Sequence, residues 1–420
     1  MKNALLIAAA CLLALLSTIG ASLPYPILPP LFASGAVSGL NQFLGLPPKL
    51  LFSVAVMINP LGLLIGSTVL GALSDRYGRR PVLLATGLGA AAGHALTAGA
   101  MLLESYPLFL AARFATGLLE GNGAVARAML AERLEGTLRN RAIGWLNGAF
   151  HFGWLAGPLL GGLTVGYGLT VPFWIAAGAL LAVALVVMAV LPRETPSTLT
   201  TSWWQVARDR HSLNLLKHAE LRTLFKIQLA VTCGVTAFYE FYPLWLVEIG
   251  RYDAQGIAAI NVGLCGLMTL SSLFSGRPSA TAPLKRAALH AFGIACAVGL
   301  VALGNLWVGL VGIVLFGLPN SFYNAVVQNW AADRFGAHGQ GAVMGLLSTT
   351  FCLANILMAL AGAVLTLIDT RLVLLLGAAL SAAAGWHLQA WRLRLPAAGP
   401  MVAPIAAPIA APMNLTKSPE

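Results

Sequence analysis

Apolar runs long enough to cross a bilayer recur along the chain, divided by short polar, Gly- or Pro-containing breaks. A membrane-crossing helix needs about 20 apolar residues, and lipid obliges it to pair its own backbone N–H and C=O groups. The pattern predicts twelve spanning helices, at roughly 4–33, 50–73, 81–103, 107–131, 142–166, 171–191, 223–248, 255–276, 284–303, 306–331, 341–367 and 370–391. Only Gly304-Asn305 divides the apolar stretch 284–331. The first run, after Met1-Lys2-Asn3, also has the form of a secretory signal with small residues at Gly20-Ala21. It continues apolar through Leu23, and a retained first span lets the later topology work.

Composition agrees with this pattern. The chain is 58% hydrophobic and 9% charged, with mean hydropathy +0.81. A soluble domain carries about 25% charged residues, so lipid has to be the solvent for most of the surface. The net charge of +11 gains its meaning from position. With the N-terminus inside, the inner loops hold Arg76, Arg79, Arg80, Arg133, Arg139, Arg141 and most other basic residues, while the outer loops hold only Lys49, Arg251 and Arg371. The positive-inside rule then puts both termini of a multi-pass protein in the cytoplasm. The basic excess faces anionic lipid, and nucleic acid is not needed as a partner. The five cysteines, Cys11, Cys233, Cys265, Cys296 and Cys352, lie in apolar runs without metal-ligand spacing. No metal site and no cofactor are expected, and a monomer suffices.

The longest inner segment divides the chain into an N-terminal six-helix bundle (1–191), a central loop (192–222) and a C-terminal six-helix bundle (223–395). In the loop, Trp203-Trp204 with Arg208 and Arg210 suits an interfacial helix, and a Ser/Thr-rich linker is the competing reading for 195–202. The halves echo each other. Gly144 follows Glu132 by twelve residues after Ala131-Glu132-Arg133, and Gly345 follows Asp333 by twelve after Ala332-Asp333-Arg334. Such repeats let transporters build two bundles around a central site. The tail from 396 to 420 is Ala/Pro-rich, which forbids a helix and predicts disorder.

Three segments carry mechanism. The loop between spans 2 and 3 reads Gly71-Ala-Leu-Ser-Asp75-Arg76-Tyr-Gly78-Arg79-Arg80, with glycines for close approach and a tight turn. Asp75 and Arg79 are placed to pair near the membrane surface, and Glu132 to join them. Span 5 carries Gly144, Gly153, Gly157-Pro158 and Gly161-Gly162. Gly153, Gly157 and Gly161 form one smooth face, and Pro158 removes a backbone donor. Span 4 carries Arg113, Glu120 and Arg127, spaced by seven, about two turns, and so on one face.

The loop resembles the major facilitator superfamily signature G-x-x-x-D-[RK]-x-G-[RK]-[RK]. Span 5 is similar to the antiporter motif of that superfamily's drug:proton exporters, and Arg113-x-x-x-Gly117 to its R-x-x-x-G motif. The resemblance implies an all-α membrane fold of twelve transmembrane helices in two pseudo-symmetric bundles. It also implies a cytoplasmic gate role for Gly71, Asp75, Arg76, Gly78, Arg79 and Arg80, an inter-bundle hinge at the span 5 motif, and a tie between Arg113 and proton transfer. The equivalent loop near Ser275-Gly276-Arg277 lacks the acid, and the second half does not repeat the Gly-Pro. Generic small-residue packing is the competing reading for span 5.

Charges inside a bilayer are costly and normally face a polar interior. Glu120 and Glu240 are therefore candidate proton carriers, one from each half, and a buried structural network is the alternative for Glu120. Glu240 sits in Phe238-Tyr-Glu-Phe-Tyr242-Pro243, where Tyr239 and Tyr242 offer stacking or cation–π contacts to a cation. A position nearer the outer interface is the other reading for Glu240. His151, one turn after Asn147, suits a proton relay or an interior hydrogen bond, and His94 is a weaker candidate. Asn320, Asn324 and Gln328 form a polar stripe that lipid would leave unsatisfied, which points it at a cavity.

These residues predict a proton-coupled carrier exporting a small amphipathic organic molecule by alternating access. Export of an endogenous metabolite such as a siderophore, or nutrient uptake, keeps the fold and changes the job. An intramembrane enzyme is disfavoured because no nucleophile–base pair is matched, and ATP-driven transport because no Walker loop is present.

Overall fold

The computed structural model describes residues 2–33, 37–191, 212–275, 282–335 and 340–394. Fourteen α-helices follow one another: α1 (Lys2–Ser22), α2 (Leu28–Ala33), α3 (Pro48–Tyr77), α4 (Arg79–Leu102), α5 (Tyr106–Glu120), α6 (Gly123–Arg133), α7 (Gly136–Thr164), α8 (Val171–Val190), α9 (Ala219–Gly250), α10 (Ala254–Ser275), α11 (Pro283–Ala302), α12 (Leu306–Phe335), α13 (Gln340–Ile368) and α14 (Thr370–Arg394). Taking α1 with α2 and α5 with α6, they make the twelve passages that the apolar pattern predicts. Among the described residues, nine helices are long and apolar enough to cross a membrane by length and composition, and Ala254–Met268 in α10 is a shorter apolar stretch. The divider at Gly304 holds, since Gly304 takes φ +77 between α11 and α12.

Proline and glycine set the breaks. Pro48 opens α3 at a position where a missing N–H costs nothing. Gly78, at φ +93, closes α3 and opens α4, a backbone that L side chains rarely adopt. Pro24 and Pro26 supply no N–H to continue α1, so the chain turns before α2. Gly121-Asn122 separates α5 from α6.

Helices α1 to α8 pack mainly among themselves, through α1 on α7, α3 on α5, and α4 on α5 and α8. A second set, α9 to α14, packs through α9 on α13 and α14, α10 on α12, and α11 on α12 and α14. Among the described residues α3 with α13 and α7 with α10 cross between the sets most extensively, and α2 with α9 to a lesser extent. The start of α1 at Lys2 and the end of α14 at Arg394 lie at one end of the helices, together with the Arg76–Arg80 loop; this is the arginine-rich end. Residues 192–211, with the interfacial-helix reading of Trp203-Trp204, the loop at Gly276-Arg277, and the tail 396–420 lie outside the described residues.

Candidate functional site

The interruption of α1 creates a binding point for a buried cation. In an unbroken helix the Tyr25 N–H would reach the Ala21 carbonyl. Here it donates to Ser22 O at 3.2 Å, and Arg113 Nη2 takes Ala21 O at 3.0 Å. Arg113 is 3% exposed and thus sits at the negative end of the α1 dipole, where a cation is favoured. Asn59 of α3 donates from Nδ2 to Arg113 O at 3.3 Å and to Glu120 Oε2 at 3.1 Å. His94 Nε2 of α4 lies 2.9 Å from Glu120 Oε1. Four helices of the first set thus meet in one buried polar network.

Arg127 does not share this face. The α5–α6 break intervenes, and Arg127 Nη1 donates to Asn147 Oδ1 at 3.3 Å while its guanidinium lies over the Phe150 ring. The seven-residue spacing predicts a common face only for a continuous helix, so that expectation is corrected at Gly121-Asn122. His151 lies in α7, but its side chain is outside the described residues.

Glu240 lies in the interior, 1% exposed, and neither carboxyl oxygen has a hydrogen-bond partner among the described residues. Tyr25 lies within electrostatic reach of both Glu240 and Arg113. Its hydroxyl donates across the two sets to Asn355 Oδ1 at 3.4 Å. Trp154 of α7 packs edge-on to Tyr25 and to Phe351 of α13, with ring centroids 6.0 and 4.8 Å away. These groups close the centre around a cavity of ≈ 20 Å³ that Tyr25, Asn59, Arg113 and Trp154 help to line. That is room for water and far below the size of a small-molecule pocket.

The other cavity candidates occupy different places. Tyr239 Oη donates to Met268 Sδ at 3.1 Å and Tyr242 Oη to Asn261 Oδ1 at 3.3 Å, both within the second set. Asn324 Nδ2 donates to Asn320 Oδ1 at 3.1 Å, Asn320 is buried and Gln328 half-buried. None of these, nor Asn147, lines the ≈ 20 Å³ cavity.

Contacts joining the two sets gather away from the arginine-rich end. Lys49 at the start of α3 pairs with Glu248 of α9 at 2.7 Å and donates to Thr366 O of α13 at 3.0 Å. Phe52 meets Phe241 edge-on. Beside them Arg371 hydrogen-bonds Asp369 and holds its carboxyl below the ordinary value. At the arginine-rich end the Arg79–Glu132 and Arg334–Glu220 ion pairs each join helices of one set. Arg79 is bonded to Glu132 and Ser74, Arg80 Nη2 donates to Met188 O at 2.7 Å, and Arg334 pairs with Glu220. Arg76 lies over Tyr77 and Gly71 borders open space. The Asp75 side chain is outside the described residues.

Comparison with known proteins decides the family. A family profile described as Major Facilitator Superfamily matches residues 10–357. The chain belongs to the major facilitator superfamily. It is 29% identical to "Tetracycline resistance protein, class B" of Escherichia coli over 350 residues, 80% of this chain and 82% of that protein. The class H protein of Pasteurella multocida is 26% identical over 80% of this chain and 82% of its own length. "Multidrug resistance protein MdtG" of Serratia proteamaculans (strain 568) is 35% identical over 38% of this chain and 37% of that one. The human organic anion transporter MFSD10 (TETRAN) shares the fold, with TM-score 0.68 and 19% identity over 92% of this chain and 99% of its own.

Proteins of this superfamily are membrane-embedded carriers of small molecules, not enzymes, and this chain is related to tetracycline and multidrug efflux proteins. In this major facilitator chain the span 5 motif behaves as two parts. A Cβ on Gly153 or Gly157 would meet α1 at 2.7 and 1.9 Å, one on Gly161 would meet Leu23 O, just past the end of α1, at 2.3 Å, and one on Gly162 would meet Ala258 of α10 at 2.2 Å. A Cβ on Gly144 would meet nothing. Pro158 is buried within the unbroken α7. Asn59, Trp154 and the partnership of His94 were not marked by the sequence pattern, and Tyr25 was marked only as part of the break in span 1. A single Asn in the apolar run Val56-Met-Ile-Asn59-Pro60 was the available signal for the first.

Proposed function

We propose that this carrier exports a small amphipathic organic molecule, a drug or similar compound, in exchange for protons, with Glu240 as the proton carrier. The observation that carries this reading is the bare Glu240 carboxyl, enclosed with no donor on either oxygen among the described residues. An ionised carboxylate in such a place costs several kcal/mol, so the closed centre selects the neutral, protonated acid. Glu120 differs, because both of its oxygens are engaged. Opening of the site lets water and a substrate reach Glu240, and the proton leaves. The membrane potential adds ~2.3 kcal/mol per charge per 100 mV to inward proton movement.

The arginine-rich end is cytoplasmic in this reading, with both chain ends on the cytoplasmic side of the bacterial inner membrane, two six-helix bundles meeting around the centre, and one chain sufficient for transport. The Lys49–Glu248 pair then closes the outer side, the arrangement of a carrier that has taken its proton from outside. The glycines and arginines of the Gly71–Arg80 loop serve the closure of the other side. The tetracycline resistance relatives make tetracycline the first compound to try. In proteoliposomes, tetracycline added to the parent protein is expected to release protons, and Glu240→Gln to abolish that release while the protein remains in the membrane. Normal coupled efflux in Glu240→Gln would remove Glu240 from the mechanism. A susceptibility panel in an efflux-deficient host, with and without an uncoupler, tests the substrate class; resistance to no compound points to an endogenous metabolite instead.

A further inference from the structure

We propose that His94 is a positioning residue that keeps Glu120 as the fixed counter-ion of Arg113. The inference rests on the reading above, in which the mobile proton travels on Glu240.

The hydrogen bonds assign the ring. His94 is fully buried, with Nε2 2.9 Å from Glu120 Oε1. Its Nδ1 is closed off from solvent and has no partner among the described residues. A buried N–H without an acceptor is rarer and costlier than a buried acceptor without a donor. The hydrogen therefore belongs on Nε2, donated to Glu120, and Nδ1 is the bare nitrogen. The other Glu120 oxygen accepts from Asn59 Nδ2 at 3.1 Å. A carboxyl that receives a donor on each oxygen is held as the carboxylate, and Arg113, two turns back on α5, balances its charge.

The surroundings leave the pair little freedom. From α5, Glu120 is the charged group that meets the ring, and Arg113 lies two turns back on the same helix. From α3 comes the amide of Asn59, from α8 the Phe173 ring at 6.4 Å, and from α1 the backbone of Gly20. A Cβ at Gly20 would stand 2.3 Å from His94 Nε2, so α1 rests directly on the hydrogen bond. The first set of helices thus holds a locked charge pair, and the second set holds the acid that titrates.

Nitrogen NMR of the full chain labelled at histidine tests the assignment, with the signals lost in His94→Gln identifying His94. The expected spectrum is that of a neutral ring with its hydrogen on Nε2. A ring with its hydrogen on Nδ1, or an imidazolium, overturns the proposal. In proteoliposomes with tetracycline as the probe, His94→Gln, whose amide can donate from the same place, is expected to keep transport and proton release near the parent. His94→Leu, which removes the donor, is expected to lose about tenfold or more in rate. Loss of proton release in His94→Gln would make His94 a carrier and overturn the proposal, as would equal rates in the Gln and Leu variants. A parent protein that releases no protons with tetracycline would count against the Glu240 reading, while the NMR result still decides His94.

Discussion

Glu120 and Glu240 have the same chemistry and opposite surroundings. One carboxyl is held by His94 and Asn59, and the other has no partner among the described residues. The sequence marks both as intramembrane acids and does not rank them, because the donors come from other helices. His94 and Glu120 are 26 residues apart and meet only through the way α4 crosses α5. The register of that crossing depends on side chains of both helices, so no single span reveals it. Gly20 sharpens the point, as its Cβ would stand 2.3 Å from His94 Nε2 and 3.0 Å from Glu120 Oε1. Gly20→Ala is expected to break this bond and destabilise the protein by about 1.5–3 kcal/mol, the range for hydrogen bonds to a charged group. Thermal unfolding in detergent, compared with the parent, measures the change, and an unaltered midpoint would show that the bond yields freely.

Helix α7 shows how far an element can be read in advance. The spacing of its glycines correctly marks a smooth face at Gly153, Gly157 and Gly161, and the structure supplies the partner, α1 through Thr18 and Ser22 and the residue just past its end, Leu23. Gly144 belongs to the same sequence pattern yet borders open space, as does Gly148. Spacing reports which residues are small; it does not report which turn of the helix another helix reaches. The two groups should respond differently to one methyl group. Gly157→Ala puts a Cβ 2.8 Å from the Ile19 carbonyl and 1.9 Å from Ser22 Oγ, and is expected to cost about 1–3 kcal/mol through overpacking. Gly148→Ala is expected to be neutral or stabilising by up to about 1 kcal/mol, since Ala is the better helix former. The unfolding midpoints of the two variants, measured side by side, check both; equal losses would mean that α7 is clamped along its whole length.

For the whole molecule, twelve passages and the loop glycines were legible, because lipid imposes helix length and Gly78 imposes a turn. Which end closes was not legible, since closure depends on contacts between helices far apart in sequence. Lys49 counted in the sequence only as one of few basic residues on its side, yet it ties α3 to both α9 and α13. Lys49→Ala is expected to raise the labelling of Cys265 by an impermeant maleimide applied from the Lys49 side. The increase expected is up to about fivefold, the equivalent of a partly exposed ion pair. The assay uses a chain whose other four cysteines are serine. Labelling that does not change would remove Lys49 from the closure.

The Lys49–Glu248 pair has side chains 34% and 24% exposed, so ions from the surrounding medium reach it. At physiological ionic strength the Debye length is about 8 Å, and it shortens as salt rises. Any closure that this pair holds therefore weakens as the ionic strength of the medium it faces rises. Brine would loosen this contact between α3 and α9, and fresh water would tighten it.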